Sequence, residues 1–258
     1  MPKEAEDFIQ RVARKAGKYV LSRFGKDREH KVKEHMWDVV TKADLASERI
    51  ILSAIKKKYS DHGIISEESG NLNEEAEYLW TVDPIDGTLN FATGVPLFGV
   101  MIALVRKGEV ILSVVYLPSS DELFFARAGK GAYLNDKRIH CSDATDLNKT
   151  FGMGSTSLRS RTAVFLKRVL AASDRGRMMY SSFGCMGVNA CYVASGRRDW
   201  IVPLVGSIWD YAPAYLLLKE SGCMVTDTSG KPWKFGVLEM VAANPVIHRQ
   251  LLKLTKNI

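Results

Sequence analysis

The chain has 258 residues, room for one large domain or two tightly packed halves. Its 46% hydrophobic and 25% charged residues match an ordinary soluble globular protein, and a disordered chain is excluded. A net charge of +7 comes from scattered Lys and Arg without an aromatic-interleaved basic tract, which argues against a nucleic-acid partner and for mild steering of phosphorylated ligands.

The acidic start, Met1 to Asp7, lacks the basic-then-apolar layout of a secretory signal. The longest wholly apolar stretch, Leu97 to Val105, is far short of the roughly 20 residues a membrane helix needs. A cytoplasmic protein with no membrane partner is therefore expected. Four cysteines, Cys141, Cys185, Cys191 and Cys223, show no C-x-x-C spacing and read as buried thiols.

Apolar residues at Ala5, Phe8, Ile9, Val12, Ala16, Val20 and Phe24 keep helical spacing, with Gly25 as the stop. A second helix is predicted over about 44–59, with Leu45, Leu52, Ile55 and Tyr59 facing inward. Strand-like runs follow at 62–66, 78–82, 96–106, 109–117 and 122–127. Lys107-Gly108 is a tight turn between two of them, which predicts an antiparallel meander. Gly129-Lys130-Gly131 lacks a following helix and reads as a turn, not a phosphate loop.

From about Thr150 the pattern changes to alternating strands and helices. Strands are predicted at 151–155, 177–181, 199–203, 224–227 and 239–243, and helices at 162–172, 187–194, 210–221 and 245–254. Mixed sheets with helices between them are expected.

The chemistry concentrates in Asp83-Pro84-Ile85-Asp86-Gly87-Thr88-Leu89-Asn90-Phe91, directly after the apolar run Tyr78 to Val82. Pro84 pushes Asp83 into an extended conformation, and Gly87 permits a sharp bend or a close approach to a ligand. Upstream, Ile64-Ile65-Ser66 ends in Glu67-Glu68. Downstream, Trp209-Asp210 opens an apolar helical segment. Carboxylates converging from these places would raise one another's pKa unless a cation neutralises them. An all-oxygen ligand set selects a hard cation, Mg²⁺ before Zn²⁺. The five His residues form no H-x-x-x-H pair and no Ser-His-Asp pattern, so metal-activated water is the available nucleophile.

These blocks, together with Asp38-Val39-Val40-Thr41-Lys42-Ala43-Asp44 and Glu220-Ser221-Gly222, resemble the inositol monophosphatase family of Mg²⁺-dependent, lithium-sensitive phosphatases over nearly the whole chain. The resemblance implies a layered α-β-α-β-α sandwich of mixed α/β class, shared with fructose-1,6-bisphosphatase. It implies an N-terminal half, 1–145, with most metal ligands, and a C-terminal half, 146–258, with Asp210 and substrate contacts. Glu67 and Asp83, with the Ile85 carbonyl, would hold one Mg²⁺. Asp83 would bridge to a second ion completed by Asp86 and Asp210. Glu68 would act through coordinated water and help hold a third, weaker ion.

Thr88, paired with Asp44, would orient the attacking water, with Glu67 as the third catalytic residue. Asp44 also has the position of a helix N-cap. Gly87 and Thr88 amides suit phosphate oxygens, and Lys33, Asp86, Met186 and Asp210 complete the implied substrate contacts. Trp209 is expected to bury its ring against the core and set the angle of Asp210. The implied reaction is in-line attack of water on a phosphate monoester without a covalent intermediate. A homodimer and Li⁺ inhibition at the second ion's place are implied as well.

The chain departs from the family pattern at three places. Asp210-Tyr211-Ala212-Pro213-Ala214-Tyr215 replaces a run rich in Ala and Gly, and Gly222-Cys223 replaces a Gly pair. Pro203 stands where inositol-selective members carry a glutamate that contacts ring hydroxyls. Pro213 is tolerable in a first helical turn, which predicts a helix start at about Asp210. The expected activity is hydrolysis of inositol monophosphate and related sugar or polyol phosphates. Fructose 1,6-bisphosphate, histidinol phosphate and adenosine 3′,5′-bisphosphate are the alternatives within the superfamily. A non-catalytic phosphate- or metal-binding regulator is the rival from outside it.

Overall fold

A computed structural model describes residues 3–26, 29–33, 39–155, 160–173 and 177–258, so Asp38 of the first sequence block lies outside the described residues. The chain opens with α1 (Lys3–Arg23), β1 (His30–Val32), β2 (Val39–Thr41) and α2 (Lys42–Lys58). Next come β3 (Gly63–Ser66), β4 (Gly70–Leu72), β5 (Tyr78–Asp86), α3 (Thr88–Thr93), β6 (Gly99–Arg106), β7 (Glu109–Leu117), β8 (Glu122–Arg127), β9 (Gly131–Leu134) and β10 (Lys137–Ile139). The remainder alternates as β11 (Phe151–Gly154), α4 (Ser160–Ala172), β12 (Met179–Ser181), α5 (Met186–Ala194), β13 (Trp200–Val202), α6 (Ile208–Glu220), β14 (Met224–Thr226), β15 (Val241–Ala243) and α7 (Pro245–Thr255).

Two sheets organise the chain. The larger has eight strands in the order β10-β9-β8-β7-β6-β5-β3-β4, and the smaller has five in the order β12-β11-β13-β15-β14. From β5 to β10 every pairing is antiparallel, the meander expected from the Lys107-Gly108 turn, where both residues have positive φ (50° and 80°). Among the described residues of this sheet, the one parallel pair is β3 with β5. The smaller sheet is mixed, with parallel pairs at β11 and antiparallel pairs at β15.

Strand alternation explains the layering. In β6, Val100, Ile102 and Leu104 join Phe8, Ile9 and Val12 of α1 and Ile51 and Ile55 of α2 in one buried cluster. Met101, Ala103 and Val105 point the other way, into a cluster with Val188 of α5 and Leu216 of α6. A strand apolar on both faces needs a cover on both. The second sheet does the same, with Phe165 of α4 and Ile247 and Leu251 of α7 closing over Trp200 and Val202. The result is the α-β-α-β-α sandwich. No described helix is long and apolar enough to cross a membrane.

Several details correct the sequence reading. Leu45 is exposed and Tyr59 only half-buried, because Ile51, Leu52 and Ile55 form the inward stripe of α2. Asp44 is not an N-cap: Thr41 caps α2, and Asp44 is the third helical residue of a capping box. Likewise α6 begins at Ile208 with Ser207 as its cap, so Pro213 falls in the second turn. There its ring nitrogen leaves the Trp209 carbonyl without its helical donor. Strand β5 continues through a bulge between Asp83 and Asp86, where only a turn was expected. The short α3, β1, β2, β4, β9 and β10 carry too little periodicity to be seen in sequence. Cys185, Cys191 and Cys223 are buried free thiols, whereas Cys141 is partly exposed.

Gly152 of β11 marks the tightest packing in the second sheet. A Cβ there would lie 2.0–2.2 Å from three indole carbons of Trp200, and the indole N–H donates to Thr150 Oγ1 at 2.8 Å, so the ring has no room to retreat. We expect Gly152→Ala to destabilise the protein by about 1–3 kcal/mol, the usual cost of overpacking a filled core. Urea denaturation measures it, and an unchanged midpoint would contradict this packing.

Candidate metal and phosphate site

The parallel pairing of β3 with β5 sets Ser66 opposite Val82. The next residue of each strand is an acid, so the register alone brings Glu67 beside Asp83, and the Glu67 N–H donates to the Val82 carbonyl at 3.2 Å. Asp83 lies in alternation with Leu79, on the sheet face that α5 and α6 cover. The bulge that follows turns Asp86 back toward the same place. Gly87 then takes φ 84° as the N-cap of α3. A side chain at Gly87 would be strained by that φ and would meet the Leu97 carbonyl oxygen at 2.9 Å.

Three carboxylates converge here. Asp83, Asp86 and Asp210 each place an oxygen within 4.8 Å of the others. Asp210 arrives from the first turn of α6, where its Oδ2 accepts the Ser207 N–H at 2.6 Å. Asp86 sits at the N-terminus of α5. Its Oδ1 accepts the Met186 N–H at 2.8 Å, and its Oδ2 accepts the Gly187 N–H at 2.5 Å and the Cys185 thiol at 2.7 Å. Asp83 Oδ1 is buried with no donor among the described residues.

A buried carboxylate oxygen without a partner is costly. Burial, compounded by the charges of Glu67, Asp86 and Asp210, pushes Asp83 well above the ordinary carboxylate range. Asp210 is pushed up to about 8 by burial and then by Asp86. Asp86 is raised by burial despite its three donors. These oxygen donors, close together and short of protons or cations, fit a hard divalent cation.

Thr88 and Asp44 do meet. Thr88 Oγ1 lies 2.8 Å from Asp44 Oδ1 and 2.7 Å from the Ile85 carbonyl oxygen, and its single proton can serve only one of them at a time. Asp44 Oδ2 also accepts from the Thr41 N–H at 2.8 Å and the Thr41 hydroxyl at 2.5 Å. Burial raises Asp44, against the opposing pull of the Thr41 and Thr88 hydrogen bonds.

Lys33 bridges the two glutamates, 3.0 Å from Glu67 and 2.5 Å from Glu68. Burial works against its ammonium, yet the hydrogen bond with Glu68 and the charge of Glu67 hold it above the usual lysine range. Glu67 is raised by burial and partly restrained by Lys33. Glu68 rises to about 7, again through burial, with Lys33 opposing.

One cavity of about 550 Å³ is lined by Lys33, Glu67, Asp83, Ile85, Asp86, Gly87, Thr88 and Asp210. An adjoining cleft of about 160 Å³ shares Asp86 and Asp210 and adds Met186 and Pro203. Two expectations are modified. Glu68 turns to Lys33 and does not line the cavity. Trp209 is only partly buried and forms a wall of the cavity, in addition to packing on the central core. Cys185, Ser47 and Glu48 also hold this region and went unseen as site residues. A polar i, i+3, i+4 face at 44, 47 and 48 was the available signal for the last two.

The profile of the inositol monophosphatase family matches residues 1–258. A fructose-1,6-bisphosphatase/inositol-1-monophosphatase of Thermotoga maritima is 34% identical over 98% of this chain and 96% of its own. A putative Nus factor SuhB of Neisseria meningitidis serogroup A is 36% identical over 95% of each chain. The solved structure of a Thermotoga maritima IMPase superposes with a TM-score of 0.88 at 33% identity, covering 98% of this chain and 96% of that one. Match length, fold and the carboxylate cluster agree: the chain belongs to the inositol monophosphatase family, phosphatases that use Mg²⁺.

Proposed function

We propose that this protein is a Mg²⁺-dependent phosphomonoesterase acting on inositol monophosphate and related sugar or polyol phosphates. The observation that carries the reading is the unpartnered, buried Asp83 Oδ1 among carboxylates that have no reason to converge without a cation. In this proposal Glu67, Asp83 and the Ile85 carbonyl would hold one ion, and Asp83, Asp86 and Asp210 would hold a second. Glu68 contributes to a third. Residues 1–145 supply most of these ligands and residues 146–258 supply Asp210 and the cleft wall.

Bound Mg²⁺ supplies Lewis acidity, activating a water and neutralising charge on the phosphate and leaving oxygen. The chain's own groups do the rest. Asp44 takes the Thr88 proton in hydrogen bond, which leaves the Thr88 oxygen to accept from a water in the cavity. The amides of Gly87 and Thr88, at the start of α3 where helical N–H groups have no partner in their own helix, face phosphate oxygens. Lys33 screens Glu67 and Glu68 from each other. The walls formed by Met186 and Pro203 receive the alcohol portion of the ester.

Pro203 sets the selectivity. It offers neither a charge nor an N–H to a ring hydroxyl, and a hydrogen bond to a charged group is worth roughly 1.5–3 kcal/mol. Its lack relaxes discrimination among polyol phosphates by about one to two powers of ten. Relatives with the double name fructose-1,6-bisphosphatase/inositol-1-monophosphatase favour the same breadth. Li⁺ inhibition through Asp86 and Asp210, and assembly as a homodimer, belong to the same proposal; Li⁺ titration of phosphate release and light scattering decide them. A regulatory role is the second reading, favoured by relatives named Nus factor SuhB.

Phosphate release should require added Mg²⁺, and Asp83→Asn or Asp86→Asn should lower kcat/KM by about 10³ or more, a loss of several kcal/mol of charge stabilisation. Full activity in EDTA would refute the metal reading. Across inositol 1-phosphate, fructose 1,6-bisphosphate, histidinol phosphate and adenosine 3′,5′-bisphosphate, kcat/KM for the two polyol substrates should differ by less than about a hundredfold. A preference for inositol 1-phosphate above about a thousandfold would show that another residue makes the contact Pro203 lacks.

A further inference from the structure

Glu48 of α2 is almost wholly buried, at 3% exposure, and forms no ion pair with Lys or Arg among the described residues. A charge in such a place is costly unless its lone pairs are filled. Among the described residues its donors come from one short stretch, 66–69. Its Oε1 accepts from the Ser66 hydroxyl, from the Glu68 N–H at 3.1 Å and from the Ser69 N–H at 3.0 Å, and its Oε2 accepts from the Ser69 hydroxyl. Glu67 lies inside that stretch, so the Ser66 side chain before it and the two backbone amides after it are tied to a single carboxylate.

The neighbouring positions on the same helix face do parallel work. Ser47, fully buried, donates its hydroxyl to the Pro84 carbonyl at 2.9 Å, between Asp83 and Ile85. Asp44, also fully buried, accepts from Thr88. Positions i, i+3 and i+4 share one face of a helix. One polar face of α2 therefore holds three separate segments of the site: 66–69 through Glu48, Pro84 through Ser47 and Thr88 through Asp44.

We propose that α2 is the positioning element of the metal site, and that Glu48 is a positioning residue that holds Glu67 in place for the ion. Glu48 lines a separate surface cleft with Leu52, Lys56 and Ser69 and is absent from the walls of the metal cavity, so it acts through the backbone of 66–69. The inference rests on the metal reading of Glu67 given above. Outer partners of metal ligands, when removed, typically cost 10–100-fold in metal affinity. Glutamine keeps the shape and can accept the two backbone N–H groups through its carbonyl oxygen while its amide nitrogen faces Ser69. Alanine keeps neither.

The test is calorimetric Mg²⁺ titration without substrate, which separates this inference from the phosphatase reading. The relevant dissociation constant is that of the site abolished by Glu67→Gln. Folded Glu48→Ala should bind Mg²⁺ there at least about tenfold more weakly, and Glu48→Gln should recover most of that loss. Should Glu48→Ala not fold, Ser69→Ala removes one of the four donors and should weaken the same site about two- to fivefold, a fraction of the whole effect. Wild-type affinity in folded Glu48→Ala, or in Ser69→Ala, would overturn the positioning role. Equal losses in Glu48→Gln and Glu48→Ala would overturn it too, by making charge rather than placement responsible. A wild-type protein that binds no Mg²⁺ would overturn the metal reading itself.

Discussion

Everything around the central cavity answers to one electrostatic problem, the confinement of several carboxylates in a space too small for their charges. Asp83, Asp86 and Asp210 have oxygens within 4.8 Å of one another, and Glu67 and Asp44 add their charges to the field at Asp83. Like charges at such separations repel strongly once water is excluded. Among the described residues no arginine pairs with these carboxylates to relieve the repulsion. The fold fixes the carboxylates from behind instead, with backbone amides, hydroxyls and one lysine, and leaves their cavity side open to a cation.

The division of donors follows from that arrangement. Asp86 lies at the N-terminus of α5, where free N–H groups and the helix dipole favour a negative charge. Asp210 closes a capping box on its own helix, and Asp44 does the same on α2. Among the described residues Asp83 is the carboxylate with a buried oxygen that no donor reaches, at the end of the pairing between β3 and β5. It is the carboxylate most dependent on a cation, and in the proposed assignment it would serve both ion sites.

Much of this was legible in the chain because motif and geometry coincide. The acids at 67 and 83 follow apolar runs, and parallel register places them side by side, whereas Asp86 arrives through the bulge in β5. The helix pattern at 3–23 and the alternating second half were readable for the same reason, since long periodic stretches carry strong signals. Short elements such as β1, β4 and α3 have too few residues to show a period. Pro213 was misplaced because Asp210 was read as the helix start, whereas Ser207 is the cap and Asp210 the third helical residue. Glu48 was hidden for a different reason: the polar face at 44, 47 and 48 marks its helix position, but its partners are two backbone amides and two serines that no spacing identifies. Leu45 shows the converse, an apolar residue at helical spacing that the packing leaves outside.

The most direct test of the repulsion at the centre is thermal stability against pH, with and without Mg²⁺. A carboxyl whose pKa is raised by folding stabilises the protein below its unfolded value near 4 and loses that contribution as pH rises through the folded value. For Asp210 that folded value is about 8, and Asp83 and Asp86 are raised in the same direction. In EDTA, Tm should therefore fall between pH 5 and pH 9 as the cluster ionises, and saturating Mg²⁺ should restore it by an increment that grows with pH. A Tm profile in EDTA that is flat over this range, or an Mg²⁺ increment that is absent or independent of pH, would contradict a cluster of buried carboxylates held together for a cation.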